Sequence, residues 1–264
     1  MNPPDSCPFC GADCAVALVQ PGYQIVACRR CHIARTDPPP APVPYEAEDF
    51  HASFPYRHPD DLPRLWRHGL QMQRRLLLRH VAPGARVLEI GCGQGLMLRL
   101  LADCGLQVTG IEPSKSAASY ARAAGLNVVD GYFTRQSFTQ PFAAVVVSHV
   151  LEHIEQPAAF LRDVAAVAPG GILLLVQANW RGWVPRKTKG LWHAWAPTHH
   201  YWHFTPAGLR RWLATLEIET LATEYSSLEH GTYWLARLAR WFPGASDQFH
   251  LIGRLPQPAT PTKA

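Results

Sequence analysis

The chain of 264 residues carries 25 Lys+Arg against 20 Asp+Glu, a net charge of +5, and 47% of it is hydrophobic. That apolar content excludes a mainly disordered chain, and no apolar run approaches the ~20 residues of a membrane span. The length suits one substantial domain with a small appendage, and the dispersed arginines do not form the one-sided footprint that nucleic acid requires.

Met1-Asn2-Pro3-Pro4-Asp5 shows neither a basic n-region nor an apolar h-region, so a cytoplasmic protein with reduced cysteines is expected. Four of those cysteines form the pairs Cys7-Pro8-Phe9-Cys10 and Cys28-Arg29-Arg30-Cys31, with 17 residues between them. This C-x2-C-x17-C-x2-C spacing is that of a tetrahedral zinc site, because a tight turn presents both thiolates of a pair to one ion. A disulfide reading would require export. Between the pairs, Ala15–Val19 and Tyr23–Ala27 flank Gln20-Pro21-Gly22 and predict a hairpin that carries the knuckles. Cys14 and His32 are bystanders in this reading. So short a segment cannot bury its own core, which makes zinc a structural staple for residues 1–36. Gripping RNA is the weaker role, since only Arg29, Arg30 and Arg35 are basic here. Pro38, Pro39, Pro40, Pro42 and Pro44 then make 37–59 a semi-rigid linker.

From 60 to 255 the pattern is that of a domain, followed by a loose tail at 256–264. Apolar residues from Leu62 to Leu77 recur at helical spacing, and Arg86–Ile90 follows as a buried strand. Helices are then predicted near 95–104, 114–124 and 157–167, alternating with strands near 107–111, 126–129, 143–148 and 171–177. Alternation of this kind makes an α/β fold with a parallel sheet covered on both faces and ligands at the carboxyl ends of its strands.

The first strand runs into Glu89-Ile90-Gly91-Cys92-Gly93-Gln94-Gly95, where alternate glycines let the backbone turn sharply beneath a ligand. Leu96 stands where a dinucleotide fingerprint needs a third small residue. The E-x-G-x-G-x-G stretch resembles motif I of the class I S-adenosylmethionine-dependent methyltransferases. Further motifs follow in the family's order: Glu112-Pro113-Ser114 at the tip of strand two, Asp130-Gly131-Tyr132 after strand three, Ser148-His149-Val150-Leu151-Glu152-His153 after strand four, and Pro169-Gly170-Gly171 before strand five. The resemblance implies a Rossmann-like seven-stranded, mostly parallel sheet with an antiparallel last strand. It implies S-adenosylmethionine as cofactor, contacted by Glu89, Gly91, Cys92, Gly93, Gly95, Glu112, Pro113, Gly131, Tyr132, Ser148 and His149. Glu112 would accept the ribose hydroxyls. Many members carry Asp where this chain has Tyr132. Glu217–Glu224 and Gln248–Leu255 fit the family's last two strands, with a helix expected over 231–242.

Eight of the nine tryptophans lie between Trp180 and Trp241, where this fold walls its acceptor pocket; a lid or a subunit contact would use the same rings. His200-Tyr201-Trp202-His203-Phe204-Thr205 resembles the H-x-x-x-F-S/T segment of zinc-ribbon methyltransferases acting on deoxysugars, which implies His200 as catalytic base. That group's tyrosine is replaced by Pro197. His149 is the second candidate base. His149, Glu152 and His153 stand at i, i+3 and i+4, a spacing that converges on one cation if helical, and they resemble the Glu-x-x-Glu-His cation motif of ubiquinone-type O-methyltransferases, with the first Glu replaced. The leading reading is methyl transfer to a small molecule such as a sugar, glycan or secondary metabolite. An RNA base methyltransferase with a zinc ribbon and a non-catalytic partner protein are the alternatives.

Overall fold

Hydrophobic patterning sorts the chain into two sheets. The computed structural model describes residues 6–41, 56–227 and 246–257. The predicted helix over 231–242, with Trp234 and Trp241, therefore lies outside the described residues, as do 42–55 of the proline-rich stretch.

The first sheet is an antiparallel meander of β1 (Cys14–Gln20), β2 (Tyr23–Cys28) and β3 (Ala34–Asp37). Gln20 opposite Tyr23 leaves Pro21-Gly22 as a two-residue turn, with Gly22 at φ +85°. A fourth strand, β9 (Trp202–His203), comes from far along the chain and pairs antiparallel with β3.

The second sheet is built by β4 (Arg86–Ile90), β5 (Gln107–Glu112), β6 (Val128–Asp130), β7 (Ala144–Ser148), β8 (Ile172–Ala178), β10 (Glu219–Ser226) and β11 (Gln248–Arg254), in the order β10-β11-β8-β7-β4-β5-β6. Only β11 runs against its neighbours. Helices α1 (Arg64–Leu78), α2 (Leu96–Ala102), α3 (Lys115–Ala123), α4 (Pro157–Val167), α5 (Trp183–Thr188) and α6 (Pro206–Thr215) complete the fold. The seven strands and their directions are those the sequence implied.

Central strands such as Ala144–Ser148 and Ile172–Ala178 are near-continuous apolar runs because both faces are buried. Leu88, Ile90, Val145, Val147, Leu173 and Leu175 face one core, with Leu161 of α4 and Leu209, Trp212 and Leu213 of α6. Val87, Ala144, Val146, Leu174 and Val176 face the other, with Leu76 and Leu77 of α1 and Met97 and Leu101 of α2. Cys7, Cys28, Cys31 and Ile33 join the first core, so the cysteine knuckles are packed into it. The Thr205 hydroxyl caps α6 by accepting from the Gly208 amide at 3.1 Å, and Pro206 fits the first helical position. A Cβ on Gly208 would run into the Cys31 carbonyl, so α6 lies directly against the second knuckle.

Candidate functional site

The strand order reverses at β4, which pairs with β5 on one side and β7 on the other. In sheets of this kind ligands sit at such a switch point, in the crevice outside the carboxyl ends of the strands. Gly91, Gly93 and Gly95 stand there with φ of +69°, +53° and +81°, a region that side chains disfavour. A Cβ on Gly91 would come within 2.5 Å of Val150 Cγ2, so the loops after β4 and β7 touch.

Glu112 ties the rim together from a buried position. Its Oε2 accepts from the Gly93 amide and its Oε1 from the Ser114 amide, each at 2.8 Å. Its carbonyl accepts from the Gly131 amide at 3.0 Å, drawing in the loop after β6, where Tyr132 is exposed. Pro113 and Ser148 sit at the ends of β5 and β7 on the same edge. Cys92 offers the crevice only its backbone, because its side chain is buried against Gly110. Glu89 lies beneath the loop with Oε2 buried and lacking a hydrogen-bond partner. Burial, and then the neighbouring Glu112 carboxylate, push its pKa from 4.5 to about 8.

A second cluster follows β7. His149, at φ +54°, precedes a single 3-10 turn over Leu151–His153. Glu152 is buried; its Oε2 accepts from Gln177 Nε2 at 2.9 Å, and His149 Nδ1 lies 3.4 Å from its Oε1. Gln248 Nε2 donates to His149 Nε2 at 2.6 Å, which places the His149 proton on Nδ1, facing Glu152. The Ser226 hydroxyl donates to Gln248 Oε1 at 2.7 Å and holds that amide in register.

His153 donates from Nδ1 to the His199 carbonyl at 3.2 Å, and His200 from Nδ1 to the Ala194 carbonyl at 2.9 Å. Each Nε2 is then a lone-pair donor. One ligand atom from each of Glu152, His153 and His200 lies within 4.8 Å of the others. This departs from the ligand set suggested by spacing alone. His149 is not a member, because its Nδ1 faces Glu152 and its Nε2 accepts from Gln248, and His200 takes its place. Burial opposes a charge on Glu152, but the hydrogen bond from His149 wins and holds its carboxyl below the usual range. Burial drives His200 down to about 4, against the pull of Glu152, so its imidazole is neutral.

Beside this cluster lies a small cleft lined by Glu152, Gln177, Trp180, Trp192, Ala194, His200, Trp202, His203 and Phe204. Trp192 and Trp195 are themselves buried against Ile25 and Ala34 of the first sheet. Gln177 and Gln248 went unremarked in the sequence, although a buried amide in the runs Ile172–Ala178 and Gln248–Arg254 is a signal in itself.

The four knuckle cysteines also converge. Cys7 and Cys31 sulfurs lie 3.6 Å apart and Cys10 and Cys28 sulfurs 3.4 Å apart, with all four within 4.8 Å of one another. Tetrahedral Zn–S bonds of about 2.3 Å need sulfurs about 3.8 Å apart. The amides of Arg30 and Cys31 both donate to Cys28 Sγ at 3.3 Å, a pattern that favours thiolate. Cys14 and His32 stay outside the cluster.

A family profile described as a methyltransferase domain matches residues 59–222. The chain belongs to this methyltransferase family. Among curated relatives, a ubiquinone biosynthesis O-methyltransferase from a Caulobacter species is 31% identical over 147 residues, covering 52% of this chain and 56% of the relative. One of the same name from Xanthomonas campestris is 34% identical over 163 residues, covering 53% of this chain and 65% of the relative. The methyltransferase thus spans less than two thirds of those relatives.

A solved S-adenosylmethionine-dependent methyltransferase from Archaeoglobus fulgidus superposes with a TM-score of 0.54 at 17% identity, over 71% of this chain and 93% of that one. Magnesium protoporphyrin IX methyltransferase from Synechocystis, with bound S-adenosylhomocysteine, gives 0.51 at 19%, over 70% and 83%. These likenesses show the fold. No helix among the described residues is long and apolar enough to cross a membrane.

Proposed function

We propose that this methyltransferase uses S-adenosylmethionine to methylate a hydroxyl of a small molecule held against the Trp180–Phe204 wall. The observation that carries the reading is the crevice at the switch point, with its left-handed glycine loop clamped by Glu112 over a buried, unpartnered Glu89 oxygen. That orphan carboxylate oxygen fits a cofactor that brings positive charge to the loop. Gly91, Gly93 and Gly95 would admit it closely, and Glu112, Pro113, Gly131, Tyr132, Ser148 and His149 would line the remainder. When bound, S-adenosylmethionine supplies an electrophilic methyl on a sulfonium. The chain's own contribution is alignment of the acceptor and exclusion of water. The relatives named for O-methylation support a hydroxyl acceptor.

In this reading His200 Nε2 accepts the acceptor's proton, while Gln248 and His149 hold Glu152 ionised beside it. Burial depresses the imidazole pKa to about 4 while the Glu152 carboxylate draws it up, so Glu152 would stabilise a proton that His200 takes from the acceptor. A second reading has a specific observation behind it. Both Nδ1 protons of His153 and His200 are anchored on backbone carbonyls, the orientation of metal-ligating histidines, so Glu152, His153 and His200 would hold a divalent cation that acidifies the hydroxyl.

The cysteine cluster is read as a structural zinc site within residues 1–36. A thiolate cluster held for a metal is in keeping with a reducing, cytoplasmic setting. The test is a screen of candidate acceptors with labelled cofactor on wild-type and His200→Gln protein, beside calorimetry with S-adenosylhomocysteine. Unchanged calorimetric affinity with turnover reduced at least ~100-fold supports the assignment. Equal turnover in the two proteins rejects it. A requirement for added Mn²⁺ or Mg²⁺ beyond one zinc per chain selects the second reading.

A further inference from the structure

The structure assigns Thr36, on the third strand of the cysteine ribbon, as the positioning residue for His200, so that the metal-holding knuckles and the acceptor face of the pocket form one mechanical unit. The inference rests on the reading above that His200 faces the acceptor, and it holds whether His200 takes a proton or a cation.

Thr36 is 1% exposed and makes three hydrogen bonds to the segment that carries His200. Its hydroxyl donates to the His200 carbonyl at 2.7 Å. The same oxygen lies 3.0 Å from His203 Nε2, and because its proton is already given to His200 it accepts there. Its amide donates to the Tyr201 carbonyl at 3.1 Å. Around it, Ala34 pairs with His203 and Arg35 with Trp202. The far side of the segment is held by Tyr201, whose amide donates to the Glu152 carbonyl at 2.8 Å. The backbone of His200 is therefore gripped between the ribbon and the Glu152 turn, and no regular element of its own defines it.

The ribbon can act as an anchor because its knuckles are packed into the domain core. Phe9, between the first pair of cysteines, meets Trp202 and Trp212 edge-on, each at 4.8 Å between ring centroids. The His32 carbonyl accepts from the Trp180 indole at 2.9 Å, and the Arg30 carbonyl from Arg211 at 2.9 Å. Ile33 and Ala34 lead from the second knuckle into Thr36 on β3, so a shift at Cys28 and Cys31 reaches the His200 carbonyl through a short stretch of chain.

Hydrogen exchange with mass spectrometry on the full chain tests this without a known acceptor. Thr36→Val keeps the shape and removes the hydroxyl, leaving the His200 carbonyl and the His203 ring proton without their partner. Amides over 192–205 should exchange at least about tenfold faster, the scale of one buried hydrogen bond lost. Peptides over 86–112 and calorimetric affinity for S-adenosylhomocysteine should match wild type. Thr36→Ser, which restores the hydroxyl alone, should return 192–205 to slow exchange. The proposal is overturned if Thr36→Val leaves 192–205 unchanged, if acceleration is uniform along the chain, or if Thr36→Ser behaves like Thr36→Val. Should Thr36→Val fail to fold, Thr36→Ala removes the hydroxyl with less steric demand and is read by the same criteria. Absence of binding by wild-type protein would defeat the proposed function alone, since the exchange pattern does not depend on it.

Discussion

Glu89 makes the cofactor reading testable through protons. Its carboxyl is buried, and desolvation followed by the repulsion of Glu112 raises its pKa from 4.5 to about 8. Since the folded value lies above the unfolded one, the folded protein binds the extra proton between those pH values. The stability contributed by this group is therefore fully present below pH 4.5 and is lost as pH rises through 8. The gap corresponds to ~5 kcal/mol across the whole window. At pH 7 about nine-tenths of the unliganded protein carries this proton. A cofactor that brings an ammonium and a sulfonium over the loop favours the carboxylate and displaces it. Calorimetric titration with S-adenosylmethionine at pH 7, in two buffers of different ionisation enthalpy, should report release of close to one proton per site. Glu89→Gln should abolish that release, and the stability of wild type relative to Glu89→Gln should fall as pH rises from 5 to 8. Binding without proton exchange in wild-type protein, or equal release from Glu89→Gln, would refute the placement of positive charge beside this residue.

Two further outcomes follow from the geometry. Gly91→Ala must hold a side chain at φ +69° with its Cβ 2.5 Å from Val150, at a combined cost of ~2–4 kcal/mol. It should weaken S-adenosylhomocysteine binding at least tenfold by calorimetry, and wild-type affinity would show that the loop is not the binding surface. Elemental analysis should find one zinc per wild-type chain and none in Cys28→Ser, while Cys14→Ser keeps its metal because Cys14 lies outside the four-sulfur cluster. Equal loss from both serine variants would contradict that ligand set.

What the sequence made legible divides along the range of the interactions. The central strands were readable because Val145–Val147 and Leu173–Val176 are apolar runs that only a doubly covered sheet can bury. The glycine loop and the cysteine pairs were readable because each is a local backbone requirement written into consecutive residues. The ligand set after β7 was not. Helical spacing groups His149 with Glu152 and His153, yet the backbone there makes one 3-10 turn, and His149 at φ +54° turns one ring nitrogen to Glu152 and the other to Gln248. The strand Trp202–His203 has two residues and no pattern of its own, existing only because β3 offers an edge. The hydrogen bond from Thr36 to His200 joins positions 164 apart, and no periodicity encodes such a contact.

That division bears on where acceptor choice resides. The family match covers 59–222, which takes in the glycine loop, Glu89, Glu112 and the Glu152 turn. The residues that orient the acceptor cluster from outside, Thr36 in the ribbon and Ser226 and Gln248 on the last two strands, lie beyond that span. The matched region therefore includes both the glycine loop and the Trp180–Phe204 wall, while hydrogen bonds that hold the His149 ring and the His200 backbone come from segments the match does not include. Exchanging the ribbon for that of another family member should then alter which acceptor is methylated and leave cofactor affinity in place, because no ribbon residue takes part in the clamp from Glu112 to Gly93 and Ser114. A swap that weakened S-adenosylhomocysteine binding as much as turnover would mean that the two halves of the site are not separable in this way.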